Sequence, residues 1–176
     1  MKHLDKPLFV YGTMLDRDVA ETVLGRALDP ACVHRAWLDG YRVVRLPDDT
    51  YPMLIEAPGE QVAGVLLYDL GPTDFDRVRF FESYEYELID CTVRVPDHGY
   101  RHAARFGAAQ APPRRPEAWS LGWWRSAYKD RFLRYARHFM AFYGRGTLEE
   151  AEARWLELEQ ADAQQDARER RPAQAG

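Results

Sequence analysis

The sequence predicts an α+β fold with a small, mixed, β-barrel-like sheet, flanking helices and a C-terminal helical extension. Two features of the 176-residue chain indicate this class. Several β-favouring stretches separated by turn signals precede residue 106, whereas aromatic residues at three- and four-residue spacing follow a proline-rich loop at 111–116. We therefore expect a barrel over residues 1–110, a helical extension packed on it over 111–160, and a disordered tail over 161–176.

The chain opens with a predicted strand–turn–helix unit. Residues 8–11 form an apolar, β-favouring run that Gly12 and Thr13 interrupt. Apolar residues then recur at helical spacing between Asp16, which is placed to cap a helix, and Gly25, which is placed to end it. The turn therefore lies between a buried strand and the first helix.

The remaining elements are predicted from the same kinds of signal. Strands are expected, around turn signals at 47–49, 58–59 and 97–99, over residues 31–44, 51–56, 61–68, 85–95 and 100–106. A short helix over 72–82, with Thr73 as its cap, places Glu82 near a helix end and next to the core. The aromatic stripe over 124–143 predicts a packed helix, and a further helix is expected from about Thr147.

Charge and composition argue against several functional classes. The chain has 24 Lys and Arg against 28 Asp and Glu, and its formal charge of −4 is spread along the sequence, so neither a nucleic-acid binder nor a membrane-surface protein is indicated. Cys32 and Cys91 stand far apart without metal-ligand spacing to histidine, so we expect neither a disulfide framework nor a metal site. Because the N-terminus lacks the apolar core of a signal peptide, we expect a cytoplasmic protein.

The turn Tyr11-Gly12-Thr13-Met14 is a candidate anion site. Free backbone N–H groups gather where a strand ends in a glycine-containing turn before a helix, and a carboxylate would suit them. Strand–glycine–helix turns are also common without any ligand. The residues alone leave both interpretations open.

Glu82 is a candidate acid/base because it follows Phe80 and Phe81. A carboxylate at such a place either points into a partly apolar cavity, where it can pass a proton near neutral pH, or is a solvated helix residue beside two core phenylalanines. Glu85 and Glu87 are weaker candidates, since strand alternation places both on the solvated face.

A series of short motifs follows the same order as in a known family. The motifs are Tyr11-Gly12-Thr13-Met14, Leu38-Asp39-Gly40-Tyr41-Arg42, Tyr51-Pro52-Met53-Leu54, Val62-Ala63-Gly64-Val65-Leu66, and Phe81-Glu82 followed by Tyr86. Over residues 8 to 106 the chain thereby resembles the gamma-glutamylcyclotransferase-like superfamily, particularly its branch named after avirulence-induced plant proteins.

The resemblance implies an enzyme, independent of metals and cofactors, that releases 5-oxoproline and a free amine from a γ-glutamyl amine or peptide. It assigns the general acid/base role to Glu82. It assigns substrate binding to Tyr11, Gly12, Thr13, Met14 and Tyr86.

Three positions depart from the family pattern. Met14 replaces leucine, a nearly isosteric change that should keep the turn intact. Ser83 stands where glycine is common, which could alter the backbone beside the acid/base, and Glu87 stands where a basic residue is frequent, which could alter the preference for the departing half of the substrate.

Two other functional classes stay open. A non-catalytic binder of a small γ-glutamyl or acidic metabolite would keep the turn without needing a proton-active Glu82. An interaction module for RNA or an acidic protein could use the basic residues beside the aromatic stripe, which are Arg125, Lys129, Arg131, Arg134 and Arg137. The sequence does not determine the leaving amine, the oligomeric state, or whether the turn holds the α-carboxylate or the developing oxyanion.

Overall fold

The computed structural model describes residues 6–46, 50–108 and 116–170. It confirms the predicted α+β class, because the strands in this part of the chain close into a barrel in the order β1-β3-β2-β4-β5 with helices packed beside it. The strands are β1 (Leu8–Val10), β2 (Val33–Arg45), β3 (Pro52–Leu67), β4 (Tyr86–Val95) and β5 (Gly99–Ala108).

The short first strand closes the barrel. β1 pairs antiparallel with β3, and it pairs parallel with β5 through Leu8 and Ala104. The Ala104 N–H also donates to the carbonyl oxygen of Pro7 at 3.0 Å. The chain therefore leaves β1 at Tyr11 at one end of the barrel, where the predicted turn begins.

The two predicted strands over 51–56 and 61–68 are one strand, β3, so the prediction of a turn that separates them at Pro58-Gly59 is wrong. Four residues of β3, 57–60, face Gly40 alone on β2, and the register shifts there. Gly40 and Gly59 both have positive φ, at 81° and 87°. Glycine marks a bulge that bends the two paired strands, which is how a small sheet curves into a barrel.

Helices pack on one side of the barrel. They are α1 (Arg17–Leu24), α2 (Pro72–Glu82), α3 (Leu121–Ala127), α4 (Lys129–Met140) and α5 (Leu148–Glu169). α1 begins and ends as predicted: the Asp16 carboxylate accepts from the Asp18 N–H, and Gly25 adopts a left-handed conformation with φ of 69°. The predicted start near Thr147 is also confirmed, because its side chain and that of Glu150 form a reciprocal capping box.

Three helical predictions need correction. The aromatic stripe over 124–143 is divided between two helices, which meet at Tyr128, whose φ and ψ of −133° and −17° are not helical, and its last residue, Tyr143, lies in the turn after α4. The cap of α2 is Gly71, with Pro72 as the first helical residue, and not Thr73. The segment after residue 160, predicted as a disordered tail, is helical as far as Glu169.

The core has two main parts on opposite faces of β1. Phe9 and Tyr11 point into the barrel with other buried side chains, whereas Leu8 and Val10 point outwards to the helices. Strand alternation thus lets β1 join both parts. The predicted turn at 47–49, most of the predicted loop at 111–116 and residues 171–176 lie outside the described residues.

None of the helices in the described ranges has the length and apolar character needed to cross a lipid bilayer.

Candidate active site

A cavity of about 380 Å³ lies between the turn after β1, the end of α2 and the C-terminal helices. This volume is in the range of small-molecule sites. The structure brings all the sequence-predicted site residues to its wall: Tyr11, Gly12, Thr13, Met14, Glu82 and Tyr86. Residues far apart in sequence therefore line one concave space.

The turn presents its backbone to this cavity. Residues 13–15 form a single 3-10 turn, in which the Leu15 N–H donates to the Gly12 carbonyl oxygen at 2.9 Å. Within the described ranges, no acceptor reaches the N–H groups of Gly12, Thr13 or Met14. Such N–H groups can hold an anion that enters the cavity.

Glycine is required at position 12 for steric reasons. Its φ of −123° is open to any residue, but a Cβ atom there would lie 2.5 Å from Cγ of Pro52. Tyr86 holds Pro52 in this place, because its hydroxyl group donates to the Pro52 carbonyl oxygen at 2.8 Å. Tyr86 therefore fixes the start of β3 against the turn.

Tyr11 is a neutral, fixed part of the wall. Its side chain is 6% exposed, and its hydroxyl group donates to the carbonyl oxygen of Phe106 at 2.8 Å. Burial raises the pKa of Tyr11 far above its ordinary value, the negative charge of Glu82 raises it further, and the Arg105 guanidinium opposes both. Tyr11 can therefore shape and orient a ligand but is a poor proton donor.

Glu82 is the last residue of α2 and is half-buried at the cavity wall. The two preceding phenylalanines anchor the helix end: Phe80 packs on Phe139 with ring centroids 5.3 Å apart, and Phe81 packs on Phe132 and Phe139 at 6.0 Å each. Of the two interpretations of Glu82, the structure favours the one in which the carboxylate faces a partly apolar cavity.

Ser83, beside Glu82, has an unusual backbone. Its φ and ψ are 55° and −151°, a region that only glycine adopts without strain. This geometry explains why glycine is common at the position in the family that the sequence resembles. In this chain the Ser83 hydroxyl group donates to the Glu152 carboxylate of α5.

The C-terminal helices supply a wall of the cavity that the sequence prediction missed. Glu152, Trp155 and Glu159 line it from α5, and Phe132 and Phe139 line it from α4. The spacing of the three α5 residues places them on one helix face. That signal was present in the sequence, but only the folded chain shows what the face covers.

The basic residues of the extension mostly pair with carboxylates of the same chain. Arg125 and Lys129 contact the buried Asp16 at 2.7 and 3.0 Å. Arg131 contacts Asp166 of α5 at 2.6 Å, and Arg134 contacts Asp162. These contacts account for most of the basic face that could have met RNA or an acidic protein.

The histidine, cysteine and acidic side chains of the described residues form no group of three or more that could hold a metal ion.

Comparison with known proteins gives matches for most of the chain. The family model described as "Gamma-glutamyl cyclotransferase, AIG2-like" matches residues 8–126. AIG2-like protein D of Arabidopsis thaliana is 24% identical over 135 residues, which are 75% of this chain and 87% of that protein. Protein AIG2 C of the same plant is 23% identical over 137 residues, which are 76% of this chain and 80% of that protein.

Solved structures share the fold. The solution structure of an Arabidopsis thaliana protein superposes with a TM-score of 0.56 at 22% identity, covering 81% of this chain and 95% of that chain. A second solution structure from the same plant gives 0.56 at 21% identity, covering 80% of this chain and 84% of that chain. The residues after 126, which include α4 and α5, lie outside the matched family region.

Proposed function

The chain belongs to the gamma-glutamyl cyclotransferase, AIG2-like family, and we propose that it converts a γ-glutamyl amine or γ-glutamyl peptide into 5-oxoproline and a free amine. The observation that carries the proposal is the position of the Glu82 carboxylate, which lines the same cavity as the free N–H groups of Gly12, Thr13 and Met14.

The reaction is an intramolecular acyl transfer. The neutral α-amine nitrogen of the substrate attacks its own γ-carbonyl carbon, so that a new C–N bond closes the lactam and the original γ C–N bond breaks. The protein has to fold the glutamyl chain into this near-attack shape, since the reacting groups are already joined. No nucleophile from the protein is required.

Glu82 is the proposed proton carrier. Its carboxylate accepts a proton from the attacking amine as the new bond forms and returns it to the departing nitrogen as the old bond breaks, so it ends in its starting state. The N–H groups of the turn hold the glutamyl carboxylate or the developing oxyanion. Tyr11 fixes the floor of the pocket, and Tyr86 keeps the turn in shape through Pro52.

The test is release of 5-oxoproline from a panel of γ-glutamyl amines and dipeptides by the full chain and a Glu82→Gln variant. Glutamine keeps the shape but cannot carry the proton, so we expect kcat to fall on the order of 10³-fold while the melting temperature stays close to that of the parent. Asp76→Asn is the matched control, because Asp76 is an exposed carboxylate on the same helix as Glu82 and does not line the cavity.

Equal loss of activity in both variants would show that Glu82 is not the proton carrier. If no panel member is turned over, yet one of them raises the melting temperature of the parent and the Glu82→Gln variant alike, the protein is a binder of γ-glutamyl metabolites and the catalytic proposal fails.

A further inference from the structure

The barrel encloses one basic side chain. Arg105 of β5 is 8% exposed, and among the described residues the other buried charged side chains, Asp16 and Asp74, are carboxylates. Ala103, two residues before Arg105, belongs to the same interior cluster as Tyr11. Because alternate residues of a strand share a face, Arg105 points into the barrel as well.

The buried guanidinium group has no carboxylate partner. Each of the two buried carboxylates contacts an arginine, at 2.7 and 2.9 Å, but no carboxylate of the described residues forms an ion pair with Arg105. Its Nε–H group reaches no acceptor in the described part of the chain, and its Cζ atom lies 5.3 Å from the ring centroid of Tyr41. An aromatic face attracts a cation but does not neutralise it. The charge of Arg105 therefore costs fold stability and acts on its surroundings.

The guanidinium group lies towards the end of the barrel that carries the candidate active site. A Cβ atom at Gly107 would lie 2.7 Å from Nη1 of Arg105, so the side chain extends along β5 towards residue 107. Ala108, the next residue, pairs with Tyr86, which lines the cavity. Glycine at position 107 therefore leaves the space beside which the guanidinium group lies.

Tyr11 connects the barrel interior with the cavity. It packs in the interior cluster and lines the cavity, whereas Arg105 does not line it. The Tyr11 hydroxyl group donates to the carbonyl oxygen of Phe106, the residue after Arg105. Burial is the main cause of the raised pKa of Tyr11, the charge of Glu82 raises it further, and the charge of Arg105 lowers it. Both charges therefore lie close enough to Tyr11 to act on it.

The charged side chains at the cavity wall are all acidic. Glu82, Glu152 and Glu159 line the cavity, and no Lys, Arg or His of the described residues does so. A γ-glutamyl substrate adds its α-carboxylate, and like charges in a partly buried site repel one another. The N–H groups of the turn follow Tyr11 directly and offset part of this charge. An anion held by them lies next to Tyr11 and is exposed to the field of Arg105.

We propose that Arg105 acts on the site from inside the barrel, where its positive charge strengthens the binding of the substrate's α-carboxylate at the turn. The proposal rests on the proposed function for the presence of the γ-glutamyl group. Arg105 does not line the cavity, so it is a positioning residue that acts across Tyr11. Its charge lowers the stability of the barrel and favours the anion, a compromise that is common at functional sites.

The experiment compares γ-glutamylmethylamide with its analogue in which a carboxamide replaces the α-carboxylate. Arg105→Met removes the charge and keeps an unbranched side chain, whereas Arg105→Lys keeps the charge. We expect Arg105→Met to lower the ratio of kcat/KM for the carboxylate compound to that for the carboxamide by about tenfold, and Arg105→Lys to retain most of this ratio. Arg101→Met is the matched control, because Arg101 is an exposed cation on the same strand, and it should leave the ratio unchanged.

Thermal unfolding separates this role from a structural one. Because the cation that Arg105→Met removes is buried without an ionic partner, the variant should melt at the temperature of the parent or above it. A large fall in melting temperature with equal losses of kcat/KM for both compounds would show that Arg105 only supports the fold, and this result overturns the inference. An unchanged ratio in a stable Arg105→Met variant overturns it as well.

Calorimetric binding of both compounds distinguishes this inference from the proposed reaction. The proteins compared are the Glu82→Gln variant and the same variant with Arg105→Met added. If Arg105→Met weakens binding of the carboxylate compound alone and the parent releases no 5-oxoproline, the role of Arg105 is supported and the reaction is overturned. If the parent releases 5-oxoproline and Arg105→Met leaves the ratio unchanged, the role of Arg105 is overturned while the cyclotransferase proposal stands. Equal binding by both variants together with no turnover overturns both.

Discussion

The two walls of the cavity are held in place by different interactions. Tyr11, Thr13 and Met14, on the turn, are at most 9% exposed and belong to or adjoin the buried core. On the opposite side, the 22 residues of α5 include one fully buried side chain, Ala151. That helix is attached through the edge-on ring contacts of Trp155 and through ion pairs to α4.

This difference predicts that the turn side of the cavity is rigid and that the α5 side depends on salt concentration and pH. Buried apolar packing changes little with salt concentration or pH. Partly exposed ion pairs weaken when salt screens them and when acid protonates their carboxylates. The wall that carries the turn should therefore stay in place when the wall formed by α5 loosens. Substitutions at three positions test this contrast, from the largest expected effect to the smallest.

Asp16 connects the turn after β1 to α3 and α4, at the start of the C-terminal extension. Its carboxylate is about 1% exposed, caps α1 and contacts both Arg125 and Lys129. Although burial favours the protonated form, hydrogen bonds from Lys129 and Arg125 hold the pKa of the Asp16 carboxyl group below its usual range. We expect Asp16→Ala to lower the free energy of unfolding by about 3 kcal/mol in urea denaturation, since it removes the buried partner of Arg125, one of the two carboxylates that contact Lys129, and the cap of α1.

The control is Asp18→Ala. Asp18 contacts the same Lys129 at 2.7 Å, but its side chain is 59% exposed, so the loss should stay below about 1 kcal/mol. Equal losses of unfolding free energy from the two substitutions would show that the burial of Asp16 does not determine how much its ion pairs stabilise the protein.

Asp162 of α5 connects this helix to α4. Its carboxylate accepts from the Tyr135 hydroxyl group and contacts Arg134 and, at 3.6 Å, Arg131. We expect Asp162→Ala to lower the free energy of unfolding by about 2 kcal/mol and to speed hydrogen exchange in α5 more than in the barrel, because it leaves the buried Tyr135 without its acceptor. Glu157→Ala, which removes an exposed pair with Arg154, should change either quantity little.

The contacts of Asp162 also predict that the attachment of α5 depends on pH. Partial burial opposes ionisation of Asp162, but hydrogen bonds from Tyr135 and Arg134 hold the pKa of its carboxyl group below the ordinary value. The stability that it contributes is therefore present above about pH 4 and is lost as the pH falls through the lowered pKa. After correction for the intrinsic exchange rate, the protection of the α5 amides should fall at the acid end of a titration in the parent, and much less so in Asp162→Ala. An identical fall in protection in both proteins would assign the effect to other groups.

Ser83 is the point where the two walls meet, and the expected effect there is smallest. Ser83→Ala removes the hydrogen bond to Glu152 and keeps the strained backbone, whereas Ser83→Gly removes both the bond and the strain. We expect the glycine variant to be more stable than the alanine variant by about 1 kcal/mol and to lie close to the parent in thermal unfolding. If alanine were as stable as glycine, position 83 would not be strained.

Local signals in the sequence predicted much of the fold. The cap at Asp16 and the left-handed residue at Gly25 bound α1 as expected, and Thr147 begins α5. The turn and Glu82 could be proposed from the sequence because their motifs are short and contiguous, and both line the cavity. Each of these features depends on residues within a few positions of one another, and that is the range over which sequence patterns are informative.

What the sequence did not reveal depends on partners distant in the chain. Pro58-Gly59 has the composition of a turn, yet pairing with β2 keeps β3 continuous through that point. The segment after residue 160 has few large apolar residues, but Asp162 and Asp166 attach it to α4. The role of Glu152 in the cavity wall likewise needed knowledge of where α5 packs.

The closure of the barrel through Leu8 and Ala104 affects how the chain acquires its structure. The turn that lines the cavity leaves directly from β1, and β1 is paired on one side only until β5 has been synthesised. Contacts between such distant residues carry a loop-closure cost and form slowly. We infer that the first residues of the site to leave the ribosome are among the last to reach their final positions.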